Sequence, residues 1–222
     1  MKLRVEKRFE WRGEATQRVR AVMRMFGVSV ERLNERGVTH RCELRVEDGD
    51  IVYITGPSGA GKSVLLRELA GGLPRGERIN LNDIELPASK AVIDCIEGDI
   101  IQALRSLSMA GLSDVFCILN QPRNLSEGQQ YRFRLAAAIS SGKKYIIADE
   151  FCSNLDRITA AVISYNVRRF AKRNGTTFFL ASCHEDILAD LQPDVLIVKE
   201  LTGEAEVTYK EKKSTRHKGT RA

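Results

Sequence analysis

One eight-residue stretch, GPSGAGKS at positions 56–63, limits this chain more than any other. It follows the apolar run IVYIT and precedes SVLLRELA, so a glycine-rich loop joins a buried strand to a helix. Glycine lets backbone N–H groups close around phosphate oxygens, and the helix N-terminus adds partial positive charge. Lys62 is placed to reach β- and γ-phosphates and Ser63 to ligate Mg²⁺. Gly56, Pro57, Ser58, Gly59, Ala60, Gly61, Lys62 and Ser63 are therefore the candidate nucleotide-binding residues.

The flanking sequence supplies the frame such a loop needs. A half-buried strand, a turn at Asp48-Gly49-Asp50 and a buried strand at 51–55 lead into it, and a helix over 62–70 ends at Gly71-Gly72. Further on, helices are predicted over 99–110, from Ser126, and over 157–173, with buried strands at 145–149 and 176–182. VLIV and EVTY read as closing strands. At the front, residues 2–11 alternate as an edge strand, and 14–26 space Val19, Val22, Met23 and Phe26 as an amphipathic helix. Alternation of strands and helices predicts an α/β fold with a largely parallel central sheet. No internal repeat or linker divides the chain, so a single domain over 1–208 and a basic, disordered tail over 209–222 are expected.

Charge and cysteine usage narrow the partners. Residues 1–25 and 209–222 each carry +5 in a chain of net +6, which leaves the middle at −4. Basic ends on an acidic body suit either solvated termini or contact with nucleic acid through those termini. Five scattered cysteines without CxxC spacing argue for a reducing cytoplasm and against a zinc site or disulfide framework. There is no apolar run of membrane-spanning length and no secretory leader pattern, so a cytoplasmic location is expected.

Three further stretches carry chemistry. YIIADE ends a buried strand in two carboxylates, placing Asp149 to hold Mg²⁺ and Glu150 to act as general base on a water. His184 follows the buried strand TTFFLAS, 35 residues beyond Asp149, where it can contact a γ-phosphate or be simply structural. LSEGQ, at 125–129, allows two roles for Ser126. With Gln129 three residues later it forms a capping box, and its hydroxyl at a helix N-terminus is also an anion contact.

The ordered set GPSGAGKS, LSEGQ, YIIADE, SNLD (153–156) and His184 resembles the ABC-type ATPase cassette over about 26–209. The resemblance implies a P-loop NTPase core with a mostly parallel sheet, a small antiparallel β region and a helical subdomain. It also implies ATP and Mg²⁺ as cofactors, and a head-to-tail homodimer that sandwiches two nucleotides. Each ATP would sit on one subunit's loop while Ser126, Glu127, Gly128 and Gln129 of the other close over its γ-phosphate. Asp156 would cross the interface and help set the hydrolytic geometry, and Glu127 stands where the family usually has glycine.

The chain also departs from cassettes that drive membrane transporters. Ser126 lies only 64 residues beyond Lys62, which predicts a shortened helical subdomain. No loop glutamine is evident: Gln102 falls inside a predicted helix, and Asp94 is a positional substitute. For stacking on adenine, Phe26 and His40 are the candidates, Phe26 being equally suited to a core. ADEFCSNLD, ASCHEDILADLQPDVLIVK and RVRAVMRMFGV resemble a smaller soluble group of ABC-type ATPases, some from phages, often linked to GNAT-like acetyltransferases. That resemblance implies a protein partner, such as an acetyltransferase, which ATP hydrolysis would switch. The alternatives are a transporter subunit and a nucleic-acid-linked ATPase.

Overall fold

Three of the strands, Ile51–Thr55, Tyr145–Ala148 and Thr177–Ala181, are buried at every position. Continuous burial of this kind marks parallel strands covered on both faces. The computed structural model describes residues 1–8, 11–35, 39–201 and 204–211. Its strands are β1 (Lys2–Arg8), β2 (Thr39–Arg45), β3 (Ile51–Thr55), β4 (Arg78–Asn80), β5 (Tyr145–Ala148), β6 (Thr177–Ala181), β7 (Val195–Val198) and β8 (Glu206–Tyr209). The helices are α1 (Gln17–Phe26), α2 (Val30–Glu35), α3 (Lys62–Gly71), α4 (Ile100–Met109), α5 (Val115–Ile118), α6 (Glu127–Ser140), α7 (Arg157–Asn174) and α8 (Leu188–Leu191).

The main sheet has the order β4-β5-β6-β3-β7-β8, parallel throughout except for antiparallel β8. β1 and β2 form a separate antiparallel pair, from Lys2 opposite Arg45 to Arg8 opposite Thr39. Because side chains alternate along a strand, each strand of the main sheet feeds two layers. Ile51, Tyr53, Ile146, Phe178 and Leu180 pack against α4, α6 and α7 through Leu107, Phe133, Leu135, Ile163 and Val167. Val52, Ile54, Ile147, Phe179 and Ala181 face the other way, onto Leu65, Leu66 and Leu69 of α3 and Leu3, Val5, Cys42 and Leu44 of the β1–β2 pair. Burying each of these large side chains contributes roughly 1.5–3 kcal/mol. The result is a three-layer α/β unit with a mostly parallel sheet and a small antiparallel region, as expected.

Four details sharpen the sequence reading. α1 forms where the periodicity places it, started by the Thr16 side chain and ended at left-handed Gly27, yet none of its residues is buried. Phe26 is 75% exposed, so the core alternative for it fails: among the described residues it belongs to neither packed layer. β4 joins the main sheet beside β5, where the sequence reads only as a polar, short-stranded region. Between β4 and α6 the only α-helices are α4 and α5, the shortened helical subdomain.

The division at 208 falls inside β8: Tyr209 pairs with Val195, and its hydroxyl accepts the Arg45 N–H. Residues 212–222 of the expected tail lie outside the described residues. Among the described residues, no helix is long and apolar enough to cross a membrane.

Candidate functional site

Parallel strands open their carboxyl ends on one edge, and loops there are free to approach a ligand. At that edge β3 runs into Gly56, β5 into Asp149 and β6 into Ser182. Gly56 has φ 138°, and a Cβ there would lie 2.0 Å from the Lys199 carbonyl oxygen, so only glycine fits. At the N-cap of α3 stands Gly61, with φ 90° and no side chain to cap the helix. The first N–H groups of α3 are therefore left for an external acceptor, the arrangement that binds anions. Lys62 Nζ donates to the carbonyls of Gly56 (2.8 Å) and Pro57 (2.9 Å), which lays the ammonium across its own loop.

Beyond β5 the backbone is strained. Glu150 and Cys152 both have left-handed φ (51° and 60°), a conformation costing about 1–3 kcal/mol in a non-glycine residue. The surroundings hold it. Phe151 is buried between them and donates its N–H to Ala181 O (2.8 Å), while Cys152 N–H donates to Tyr131 Oη (3.2 Å). Burial keeps that phenol neutral, well above its ordinary pKa, and pushes the Cys152 thiol up to about 12. The turn thus fixes Asp149 and Glu150 while leaving Glu150 exposed; the Glu150 N–H donates to Asp149 Oδ1 (3.1 Å).

These elements enclose a cavity of about 350 Å³ bordered by Ser58, Gly59, Gly61, Lys62, Ser63, Asp149, Glu150, Ser153 and Ser182. Ser63 and Asp149 also border an adjoining cavity of about 680 Å³, reached by Asn80, Asn82 and Asp83 at the end of β4. The donor set fits a nucleotide phosphate with Mg²⁺: an uncapped helix N-terminus, a lysine, a serine hydroxyl and a carboxylate. Ser182, Asn82 and Asp83 are not singled out by sequence reasoning, and Ser153 enters it only as the first residue of SNLD. For Ser182 a signal exists, since it ends a buried parallel strand as Asp149 does; for Asn82 and Asp83 there is none until β4 is known to join the sheet.

Other candidates stand outside this cavity. His184 is exposed, with its backbone pinned on both sides: its N–H donates to Ser182 Oγ (3.3 Å) and its carbonyl accepts the Tyr53 hydroxyl. Asp156 caps α7, accepting from Thr159 Oγ1 (2.6 Å) and Thr159 N–H (2.9 Å), bonds that lower its pKa. Ser126 caps α6 in a full capping box: Gln129 N–H donates to Ser126 Oγ (3.4 Å), and the Gln129 side chain accepts from Ser126 N–H (3.0 Å). A Cβ on Gly128 would lie 3.2 Å from Asn154 O, so the start of α6 packs against the SNLD segment. Glu127 sits in the first turn of α6.

Gln102 is spent in the capping box of α4, and Asp94 lies on a short 3-10 turn; neither borders the two cavities at the loop. Phe26 does not border them either, and the side chain of His40 lies outside the described residues.

Comparison with known proteins places this geometry. The ABC transporter family matches residues 39–97. The sn-glycerol-3-phosphate import ATP-binding protein UgpC of Chromohalobacter salexigens is 29% identical over 80% of this chain. The aliphatic sulfonates import ATP-binding protein SsuB 1 of Paracoccus denitrificans is 28% identical over 82% of this chain and 78% of its own length. The chain spans about half (56%) of that UgpC relative. Among solved structures, the dimeric post-hydrolysis state of the ATP-binding cassette MJ0796 bound to ADP and Pi superposes with TM-score 0.68 at 18% identity, covering 94% of this chain and 98% of that one. A bacterial Atm1-family ABC exporter with ATP bound gives 0.63 at 19% identity, over 79% of this chain and 36% of that one. The chain has the fold of these ATP-binding cassettes.

Proposed function

We propose that this chain binds ATP with Mg²⁺ on residues 56–63 and hydrolyses it as one half of a head-to-tail pair, using the cycle to switch a protein partner. The observation that carries this reading is the convergence of the uncapped α3 N-terminus, Asp149 and Glu150 on one cavity. The loop N–H groups and Lys62 hold the phosphates, and Ser63 and Asp149 hold Mg²⁺, which when bound neutralises phosphate charge. Glu150, held outward by its left-handed turn, takes the proton of the attacking water. His184, its backbone fixed two residues beyond Ser182 of the cavity wall, is assigned the contact with the γ-phosphate. From the other subunit, the Ser126–Gln129 segment contacts the γ-phosphate and Asp156 borders the interface.

The test is Glu150→Gln. Turnover is expected to fall roughly 10²–10⁴-fold, the usual contribution of a general base, and ATP should hold the variant as a dimer on size exclusion. A variant that binds ATP yet stays monomeric under every condition overturns the paired arrangement.

A second reading, the ATP-binding subunit of a membrane transporter, is favoured by two observations. The relatives above are import ATP-binding proteins by name. The short helical region also exposes Ile100, Ile101, Val115, Phe116 and Leu119, a large apolar content for solvent. Co-purification of the Glu150→Gln form from solubilised membranes with an integral membrane protein supports this reading, and retention only of soluble partners rejects it.

A further inference from the structure

The second large cavity of the molecule lies away from the phosphate loop, between α4, the end of α6 and the last two turns of α7. Its volume is about 760 Å³, within the roughly 300–1,000 Å³ usual for small-ligand sites. Every ionisable side chain that borders it is a cation: Arg105 from α4, and Arg169, Lys172 and Arg173 from α7. Met109, Ile139 and Phe170 supply an apolar wall. The bordering residues begin about 15 Å along α7 from Asp156, at 1.5 Å per residue, so the cavity is separate from the hydrolytic site.

The four cations are not equivalent. Lys172 is paired with Asp194 (2.8 Å) and Asp50 (3.5 Å), which cancels its charge locally. Arg169 lies over the Tyr165 ring. Arg105 and Arg173 are exposed, and among the described residues neither has an acidic partner. Basic residues in the last turn of a helix complement its dipole, which accounts for Lys172 and Arg173. It does not account for Arg105, which stands before the last turn of α4 and faces the same cavity. Nor does overall charge, because the body between the two basic ends is net −4. By contrast, the cavity beside β8 interleaves Arg45, Arg168 and Lys210 with Glu47, Asp50, Asp194 and Glu211.

From this arrangement we infer that the α4–α7 cavity is a second ligand site, taking an organic phosphate of the nucleotide class. The guanidiniums of Arg105, Arg169 and Arg173 hold the phosphate, since a guanidinium matches phosphate oxygens in a bidentate way. The Met109–Ile139–Phe170 wall receives the base, Phe170 supplying the aromatic partner on which bases ordinarily stack and the other two apolar cover. The same chemistry is offered by a free mononucleotide and by the end of a nucleic-acid strand.

The test uses the full chain carrying Lys62→Ala, which silences the phosphate loop. Fluorescence anisotropy would follow a labelled, 5′-phosphorylated oligothymidylate at low salt, in competition with 5′-TMP and with inorganic phosphate. Binding is expected, and Arg105→Glu should weaken it by about tenfold or more, the equivalent of one charge-assisted contact. Lys90→Glu, the same charge change on an exposed loop that borders neither this cavity nor the phosphate-loop cavities, should leave it unchanged. Full displacement by 5′-TMP identifies a free nucleotide as the source, and displacement only by unlabelled oligonucleotide identifies a strand end. The inference is overturned if the labelled oligonucleotide does not bind and equilibrium dialysis also finds no bound 5′-TMP. It is equally overturned if Lys90→Glu weakens binding as much as Arg105→Glu, or if inorganic phosphate competes as well as 5′-TMP.

Discussion

Two helix N-termini in this molecule are built in opposite ways. α3 begins at Gly61, without a side-chain cap, and its N–H groups face a cavity. α6 begins at Ser126 with both halves of a capping box made, so its first turn is satisfied within the chain. An uncapped N-terminus is tolerable only where water or a ligand replaces the cap, so the start of α3 is open to an external acceptor in a single copy of the chain. α6 is not, and whatever it does for a phosphate must coexist with its own cap. The geometry permits this. Capping uses a lone pair of Ser126 Oγ and leaves the hydroxyl hydrogen free to donate, and the 3.4 Å cap bond is long beside the usual 2.9–3.0 Å.

The largest expected effect breaks the α3 end. In Gly56→Ala the new Cβ would fall 2.0 Å from the Lys199 carbonyl, at a φ of 138° that alanine does not adopt. Strain and overpacking together should cost roughly 3 kcal/mol or more, read as a lowered unfolding midpoint with loss of ATP binding. Gly59→Ala is the control from the same loop, because nothing lies within 4 Å of its Cβ position. It should lose only the roughly 1–2 kcal/mol of left-handed strain. Equal destabilisation by the two would mean that the close approach of Gly56 to Lys199 is unimportant.

A smaller effect tests α6. Ser126→Ala should cost about 1 kcal/mol of stability, as loss of a cap does. Combined with Glu150→Gln, it should also abolish ATP-held pairing while leaving ATP binding intact. If stability alone changes, the capping role accounts for Ser126 completely.

The asymmetry between these two helix ends also marks how far sequence reasoning reaches. Local signals were enough wherever short-range geometry decides. GPSGAGKS predicts strand, loop and helix, and Ser126 with Gln129 predicts a cap that is present in full. What escaped depends on distant partners. β4 is three residues long and becomes a strand only by pairing with β5, so Asn82 and Asp83 could not be placed beside Ser63. Phe26 satisfies helical periodicity, but periodicity does not say whether a layer exists to cover it, and here none of α1 is buried. The basic α4–α7 cavity joins Arg105 to residues more than sixty positions away, a juxtaposition without any local signature.

The smallest effect separates ligand binding at α3 from closure by α6. Cys183 is exposed and borders the phosphate-loop cavity, whereas Cys42, Cys117 and Cys152 are buried and Cys95 is half-buried. Burial raises the Cys42 thiol to about 11 and the Cys152 thiol to about 12, so at mildly alkaline pH both hold very little reactive thiolate. Iodoacetamide should therefore modify Cys183 first, a site that peptide mass mapping would identify. ATP should slow that modification a few-fold by filling the adjoining cavity. Because the proposed phosphate site at α3 is lined by residues of one chain, the same protection should persist in Ser126→Ala. Loss of protection in that variant would show that the α3 end is not self-sufficient, and the contrast between the two helix ends would fall with it.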